Sequence, residues 1–228
     1  MTAVFAHRGW HEDHRENTVD AFRAAVDLGV DGIELDVRRT ADRHYVVHHD
    51  AHLEDGRNLV DLAASDLPGW VPSLDDALDA CAGVSVNIEI KNNEGDPDLD
   101  PGQDVACEVC RVVAERRWHD RVVVSSFNLD TVDRVHATDA AIPTAWLVVD
   151  GHDGAAAAAA DRGHRGLNPF FGFVDRALVD ECDAAGLTVM PWTVDDPQRI
   201  LELAGWGVAG VITNVPRTAF RVLGRTAP

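Results

Sequence analysis

Gly32-Ile33-Glu34-Leu35-Asp36-Val37 has the composition of a buried β-strand, yet it carries two carboxylates. Side chains alternate across a strand, so Glu34 and Asp36 share one side while Ile33, Leu35 and Val37 share the other. Burying one unpaired carboxylate is expensive, and a like-charged neighbour makes it worse. The pair therefore asks for a cation. The same device recurs in Val86-Asn87-Ile88-Glu89-Ile90-Lys91, where Asn87, Glu89 and Lys91 lie on one strand side. Glu34, Asp36 and Glu89, three acids on two strand ends, form the smallest set able to hold a hard divalent metal.

Outward from these two strands, short apolar runs alternate with helical stretches along the chain, the signature of parallel strands joined by helices. The strand candidates are 3–6, 33–37, 46–48, 84–90, 122–125, 143–148, 166–168, 188–192 and 210–212; the helix candidates are 18–28, 74–81, 105–117, 129–136, 155–161, 175–185, 197–204 and 217–223. Asp195-Asp196-Pro197 supplies an N-cap and an early-helix proline. Gly186 and Gly205 stand where helix C-caps favour glycine. Nine strands are one more than an eight-stranded α/β barrel needs. The link from Asp36 to His48 accounts for the extra one. It contains the turn-like Thr40-Ala41-Asp42-Arg43 and is too short for a helical crossover. Residues 37–48 are expected to form a hairpin excursion turning near Asp42, which returns His48-His49-Asp50 to the carboxylates. The stretch 51–71, with Gly56, Pro68 and Gly69, shows no clear period and reads as a short insertion. The expected fold is a single (β/α)8 barrel domain over residues 1–228.

A chain of 228 residues suffices for one large domain with a sizeable core. Its net charge of −19 argues against a nucleic-acid or anionic-membrane surface, since phosphate backbones are bound by basic patches. No apolar run approaches membrane-spanning length, and the first residues lack the pattern of a secretory leader. Four cysteines do not make a disulfide framework in a chain of this size. Cys107 and Cys110 have half the spacing of a zinc site without a second pair, and their helical setting favours two packed thiols. The expected location is cytoplasmic. Oligomeric state is not encoded in any feature of the sequence.

Active sites of α/β barrels lie at the C-terminal ends of the strands. Polar residues gather at those ends: His7-Arg8, Glu34 and Asp36, Glu89 and Lys91, Ser125-Ser126, Asn168, Trp192-Thr193, and Thr213-Asn214. Lys91 is the only lysine among 20 basic residues. A compact ammonium two residues beyond a candidate ligand suits a phosphate, on which lysine acts as a point charge. Asn17 or Thr18 can cap the helix that follows, and Glu16 either adds first-turn charge or orients Arg8.

Taken together, these words resemble the glycerophosphodiester phosphodiesterases of the phospholipase-C-like barrel class. The resemblance rests on Ala6-His7-Arg8-Gly9, Glu16-Asn17-Thr18, Gly32 to Val37, Val46-Val47-His48-His49-Asp50, Pro72-Ser73-Leu74, Asn87 to Lys91, Ser126-Phe127, Trp192-Thr193-Val194 and Gly207 to Thr213, all in the family's order. It implies that Glu34, Asp36 and Glu89 bind Ca²⁺ or Mg²⁺, with Mn²⁺ also compatible with such donors. It implies that His7 and His49 are the general acid–base pair and that Arg8 and Lys91 hold the phosphate. The family's catalytic histidine directly precedes the aspartate, which selects His49 over His48; His44, His48 and His52 then belong to hairpin and loop surface. Glu16, Asn17, Phe127 and Trp192 become candidates for supporting those groups or lining the pocket. The implied substrate is a small glycerophosphodiester, hydrolysed to sn-glycerol 3-phosphate and an alcohol, with the glycerol 2-hydroxyl attacking phosphorus to give a cyclic phosphate.

Two departures leave the alcohol open. Leu53 is followed by Glu54-Asp55-Gly56-Arg57 where the family often has an arginine-threonine-threonine run, and the closing strand ends Thr213-Asn214 where the family often has Thr-Asp. A related lysophospholipid diesterase of phospholipase-D type is the alternative enzyme. A non-catalytic metabolite-binding barrel is the alternative outside catalysis.

Overall fold

The expected alternation of strand and helix closes on itself in the computed structural model, which describes residues 1–149 and 154–225. The strands are β1 (Ala3–His7), β2 (Gly32–Arg39), β3 (Tyr45–Val47), β4 (Ser85–Ile90), β5 (Val122–Ser126), β6 (Thr144–Val148), β7 (Gly166–Pro169), β8 (Thr188–Val189) and β9 (Gly210–Thr213). Eight of them run parallel in the order β8-β7-β6-β5-β4-β2-β1-β9. Backbone hydrogen bonds from Ala209 N to Val189 O (2.9 Å) and Ile212 N to Pro191 O (2.9 Å) span the remaining seam between β9 and β8. The helices α1 (Val19–Asp27), α2 (Leu74–Ala80), α3 (Asp104–Arg116), α4 (Leu129–Thr138), α5 (Ala155–Asp161), α6 (Arg176–Ala184), α7 (Pro197–Trp206) and α8 (Pro216–Val222) complete a (β/α)8 barrel.

The ninth strand is the predicted hairpin. β3 lies antiparallel on the far half of β2, with Val37 opposite Val47 and Arg39 opposite Tyr45, and His48 N donates to Asp36 O at 3.0 Å. The hairpin therefore takes the edge of β2 that β1 leaves free beyond His7, which pairs with Glu34. Residues 51–71 follow as two short 3-10 turns, Leu59–Asp61 and Ala64–Asp66. They cover a small core of their own, Val46, Leu53 and Leu59 packed with Leu62, Leu67, Trp70 and Val71.

Strand alternation sorts the side chains as the pattern requires. Ile33, Leu35 and Val37 of β2 and Val86, Ile88 and Ile90 of β4 join the main core with Leu74 and Leu78 of α2 and Val105 and Val109 of α3. Burial of this kind contributes about 25 cal/mol per Å² of apolar surface, so the sheet–helix interface supplies most of the stabilisation. On the inner side, the Phe5 ring occupies the space beside Gly32, where a Cβ would come within 2.3 Å of it. Helix starts are set by side chains: Thr18, Ser73, Asn128, Asp175 and Asp196 each accept from backbone N–H groups one turn in.

Most element ends shift by one or two residues from expectation, and two of the changes have a local cause. β8 stops at Val189, and Trp192 keeps only an isolated bridge to Phe170; Pro191 has no N–H with which to continue the ladder. α7 runs through Gly205, and the left-handed Gly207 (φ 91°) caps it instead. Cys110 packs in the core and Cys107 is half-buried, both on α3. Among the described residues, no helix is long and apolar enough to cross a membrane.

Candidate active site

Parallel register places the chemistry. His7 lies beside Glu34, Glu34 beside Asn87, Asp36 beside Glu89, and Glu89 beside Ser125. All of them share the inner side of the barrel near its C-terminal mouth. Glu34, Asp36 and Glu89 are buried, and one oxygen of each lies within 4.8 Å of the others. Lys91 extends the same side of β4. Its Nζ is 3.0 Å from Asp36 Oδ1 and donates to Glu89 Oε1. From the end of β1, Arg8 approaches the opposite flank of Asp36, with Nε 3.2 Å from Oδ2, while Nη1 donates to Glu16 Oε1 at 2.9 Å. Asn17 Nδ2 donates to Asp36 Oδ2 at 2.7 Å. Thr18, not Asn17, caps α1, which leaves the Asn17 side chain for the carboxylate.

The loop carrying Arg8 is bent to reach this position. Arg8 (φ 57°), Gly9 (φ 82°) and Asn17 (φ 54°) all lie in the left-handed region, where residues other than glycine are uncommon. Asn17 N donates to Arg8 O at 3.0 Å, and Arg8 N to Glu34 Oε2 at 3.1 Å. A Cβ at Gly9 would sit 2.8 Å from the Ala21 carbonyl carbon, so the glycine is needed both for its φ and for the close approach to α1.

The three acids are shifted in different directions. Burial raises Glu34 well above the usual carboxylate range, and the charges of Asp36 and Glu89 raise it further. Burial also raises Glu89, more than Lys91 lowers it. At Asp36 burial works in the same direction, but Lys91 and Arg8 outweigh it and hold the group ionised. Glu34 Oε1 is buried without a hydrogen-bond partner. An orphaned oxygen within a set made only of carboxylates fits a hard divalent cation, which these residues could hold.

A raised carboxylate pKa favours the folded state below its unfolded value and loses that contribution as pH rises through the folded value. A divalent ion held by these residues would compete with protons for Glu34, whose pKa is raised, so its binding should strengthen with pH. The rise in Tm on adding Ca²⁺ or Mg²⁺ is expected to be larger at about pH 8 than at about pH 5, by about 2–4 °C per kcal/mol of extra binding. Thermal melts at the two pH values check this, and an ion-induced shift independent of pH would refute competition between the ion and protons at Glu34.

The two histidines enter from different elements. His7 ends β1, with Nε2 3.9 Å from Glu34 Oε2 and Nδ1 2.7 Å from Asn214 Oδ1. Burial and the neighbouring Arg8 lower its pKa to about 4. His49 follows the hairpin, and its Nδ1 is 2.7 Å from Asp50 Oδ1. Its backbone carbonyl accepts from Arg38 Nε at 2.7 Å, while the buried Arg38 forks onto Asp98 at 2.7 and 2.9 Å. His49 stands between two clefts. The larger, about 570 Å³, is lined by Arg15, Glu16, His48, Leu53 and Trp70 among others; the smaller, about 340 Å³, includes Arg38, Lys91 and Asn93. Phe127 and Trp192 form an aromatic wall with ring centroids 5.3 Å apart, and Lys91 Nζ lies 5.9 Å from the Phe127 ring. The candidate acids, cations and histidines are thus linked to this mouth by the contacts above, with Phe127 and Trp192 beside Lys91. His44 and His52 are exposed, but His48 is half-buried against Trp70 at 5.7 Å and lines the larger cleft.

Sequence reasoning gave no role to Asn214, Asp195, or the Arg38–Asp98 pair. Asn214 was visible as a polar strand end. The Arg38–Asp98 pair joins residues 60 positions apart, and nothing local announces it.

Fold and site together define an α/β-barrel enzyme with its charged centre in the C-terminal mouth. Residues 7–218 match the model of the glycerophosphoryl diester phosphodiesterase family. The chain is 30% identical to a glycerophosphodiester phosphodiesterase of Caldanaerobacter subterraneus, covering 97% of this chain and 98% of that one. It is 29% identical to another of Bacillus altitudinis, over 97% and 98%. In fold it resembles a glycerophosphodiester phosphodiesterase of Thermotoga maritima, with TM-score 0.81 and 24% identity over 99% of each chain. It also resembles an Oleispira antarctica phosphodiesterase solved with its product sn-glycerol-3-phosphate, with TM-score 0.84 and 22% identity over 98% and 97%. The chain belongs to the glycerophosphoryl diester phosphodiesterase family, a family of hydrolases.

Proposed function

We propose that this enzyme hydrolyses small glycerophosphodiesters to sn-glycerol 3-phosphate and an alcohol, with a divalent ion, Ca²⁺ or Mg²⁺, held by Glu34, Asp36 and Glu89. The observation that carries the proposal is the buried three-carboxylate cluster flanked by Arg8 and Lys91 in the mouth that also holds His7 and His49. A bound divalent ion would act there as a Lewis acid on the phosphate and favour deprotonation of a nearby hydroxyl.

The chain's own groups do the rest. Arg8 and Lys91 offer fixed positive charge to the phosphate oxygens, preorganised by Glu16 and by the acid cluster. One histidine takes the proton of the glycerol 2-hydroxyl as that oxygen bonds to phosphorus. The other gives a proton to the departing alkoxide as its P–O bond breaks. Water then opens the resulting cyclic phosphate with the proton transfers reversed, leaving sn-glycerol 3-phosphate. Phe127 and Trp192 would border the bound diester, and the cleft beside His49 would receive the alcohol.

Release of glycerol 3-phosphate from glycerophosphocholine is expected to need Ca²⁺, Mg²⁺ or Mn²⁺ and to stop on chelation. No turnover with any of the three would overturn the proposal. Faster turnover of lysophosphatidylcholine than of glycerophosphocholine would move the substrate class to lysophospholipids.

A further inference from the structure

The His7 ring is held by a chain of hydrogen bonds that ends at Asp195, in the loop between β8 and α7. Asn214 follows β9, and its Oδ1 lies 2.7 Å from His7 Nδ1 and 3.0 Å from His11 Nε2. On its other side, Asn214 Nδ2 donates to Asp195 Oδ2 at 2.7 Å. Asp195 precedes α7 and is fixed by two further donors, Thr213 Oγ1 at 3.0 Å and Asn214 N at 2.8 Å, both on Oδ1. An ionised carboxylate only accepts, so the NH₂ of Asn214 must face Asp195 and its oxygen must face the histidines. The reverse flip would set two acceptors 2.7 Å apart. The amide oxygen only accepts in turn, so the hydrogen at this contact sits on His7 Nδ1. That leaves Nε2, the nitrogen turned toward Glu34, with its lone pair available in the neutral ring.

We infer that Asp195 is a positioning residue: acting through Asn214, it fixes the His7 tautomer so that Nε2 faces the mouth as the proton acceptor. The inference rests on the proposed diester hydrolysis. It assigns His7 to the step that deprotonates the attacking glycerol 2-hydroxyl and leaves His49 to protonate the alcohol. Asp195 is not one of the three clustered acids, and its link to the His7 ring runs through the Asn214 amide.

The pair can be rewired to test it. In Asp195→Asn, residue 195 is no longer an obligate acceptor and the Asn214 amide is free to flip; kcat should fall by about 10- to 100-fold, because a misassigned tautomer costs up to about 10⁴-fold in the best-known case. KM should be nearly unchanged, since binding contacts are kept. Asn214→Asp alone should also fall, because it opposes two carboxylates 2.7 Å apart. The double variant Asp195→Asn with Asn214→Asp restores an acceptor toward His7 and a donor behind it, and should recover most of the lost turnover. In ¹H–¹⁵N spectra of the Ca²⁺-loaded protein, the His7 ring should show the Nδ1–H tautomer in the parent and in the double variant, and lose it in Asp195→Asn.

A parent-like kcat and tautomer in Asp195→Asn would overturn the inference, as would a double variant no better than its single parents. The ring spectrum separates this failure from failure of the catalytic reading. If His7→Ala keeps full turnover, His7 is not the proton acceptor and the catalytic reading fails, whatever tautomer the parent shows.

Discussion

Replacing His7 or His49 with alanine is expected to lower kcat for glycerophosphodiester hydrolysis by about 10²–10⁴-fold, the range that positioned proton transfer contributes. The two residues serve one displacement, so losing both should cost little more than losing the worse one. KM should change little, because the proposed phosphate contacts of Arg8 and Lys91 are kept. His48→Ala is the control for proton transfer alone: as a residue lining the cleft it can move KM, but kcat should stay near the parent. It is adjacent in sequence to His49, but its Nδ1 is 2.8 Å from the Asp50 carbonyl oxygen and its ring packs on Trp70. Steady-state kinetics of the four variants decides the matter. Near-parental turnover in either single alanine variant at 7 or 49 removes that residue from the mechanism.

Lys91→Met should separate the electrostatic role of the ammonium from its contact with substrate. Lys91 is buried and offsets Asp36 and Glu89 at once. Breaking a buried ion pair by removing one partner costs about 3–5 kcal/mol, because an uncompensated charge remains. In a protein of this size that corresponds to a fall in Tm of roughly 6–20 °C. The carboxylates can escape the penalty by taking up protons, so the loss should be greatest above neutral pH. A divalent ion supplies positive charge at the same place, so Ca²⁺ or Mg²⁺ should restore much of the Tm. Turnover should stay low even then, by about 10²–10³-fold, since one donor to the developing charge on the phosphate is gone. An equal Tm loss with and without the ion would show that Lys91 and the ion do not share a site.

The parts of this site that were legible in the sequence obey local rules. A two-residue period puts Glu34 with Asp36 and Glu89 with Lys91, and parallel pairing then brings the two strands into register. The hairpin followed from a link too short for a helical crossover and from the turn-like Thr40 to Arg43, and it returns the chain at His48 to Asp36. Arg38 and Asp98 were not legible, because an isolated strand-end arginine and a loop aspartate look like solvated surface. They become one buried fork only when the loop after β4 folds over the end of β2. Asp195 was grouped with Asp196 as the N-cap of the next helix, a role that Asp196 takes alone. The bond between Asp195 and Asn214 depends on β9 closing the barrel beside the loop after β8, which no local pattern states. The Gly205 cap failed for a simpler reason: two glycines two residues apart both suit a helix end, and packing chose Gly207.

Lys91 is the one lysine in the chain, and it lies in the mouth between two acids. Reagents that acylate or cross-link side-chain amines therefore have a single atom to find, and it is shielded from them by its own ion pairs. Coupling chemistries that tether most proteins at random through surface lysines would leave this surface untouched. On the proposed role of Lys91, any label that did attach to a side-chain amine would mark an enzyme silenced at its centre.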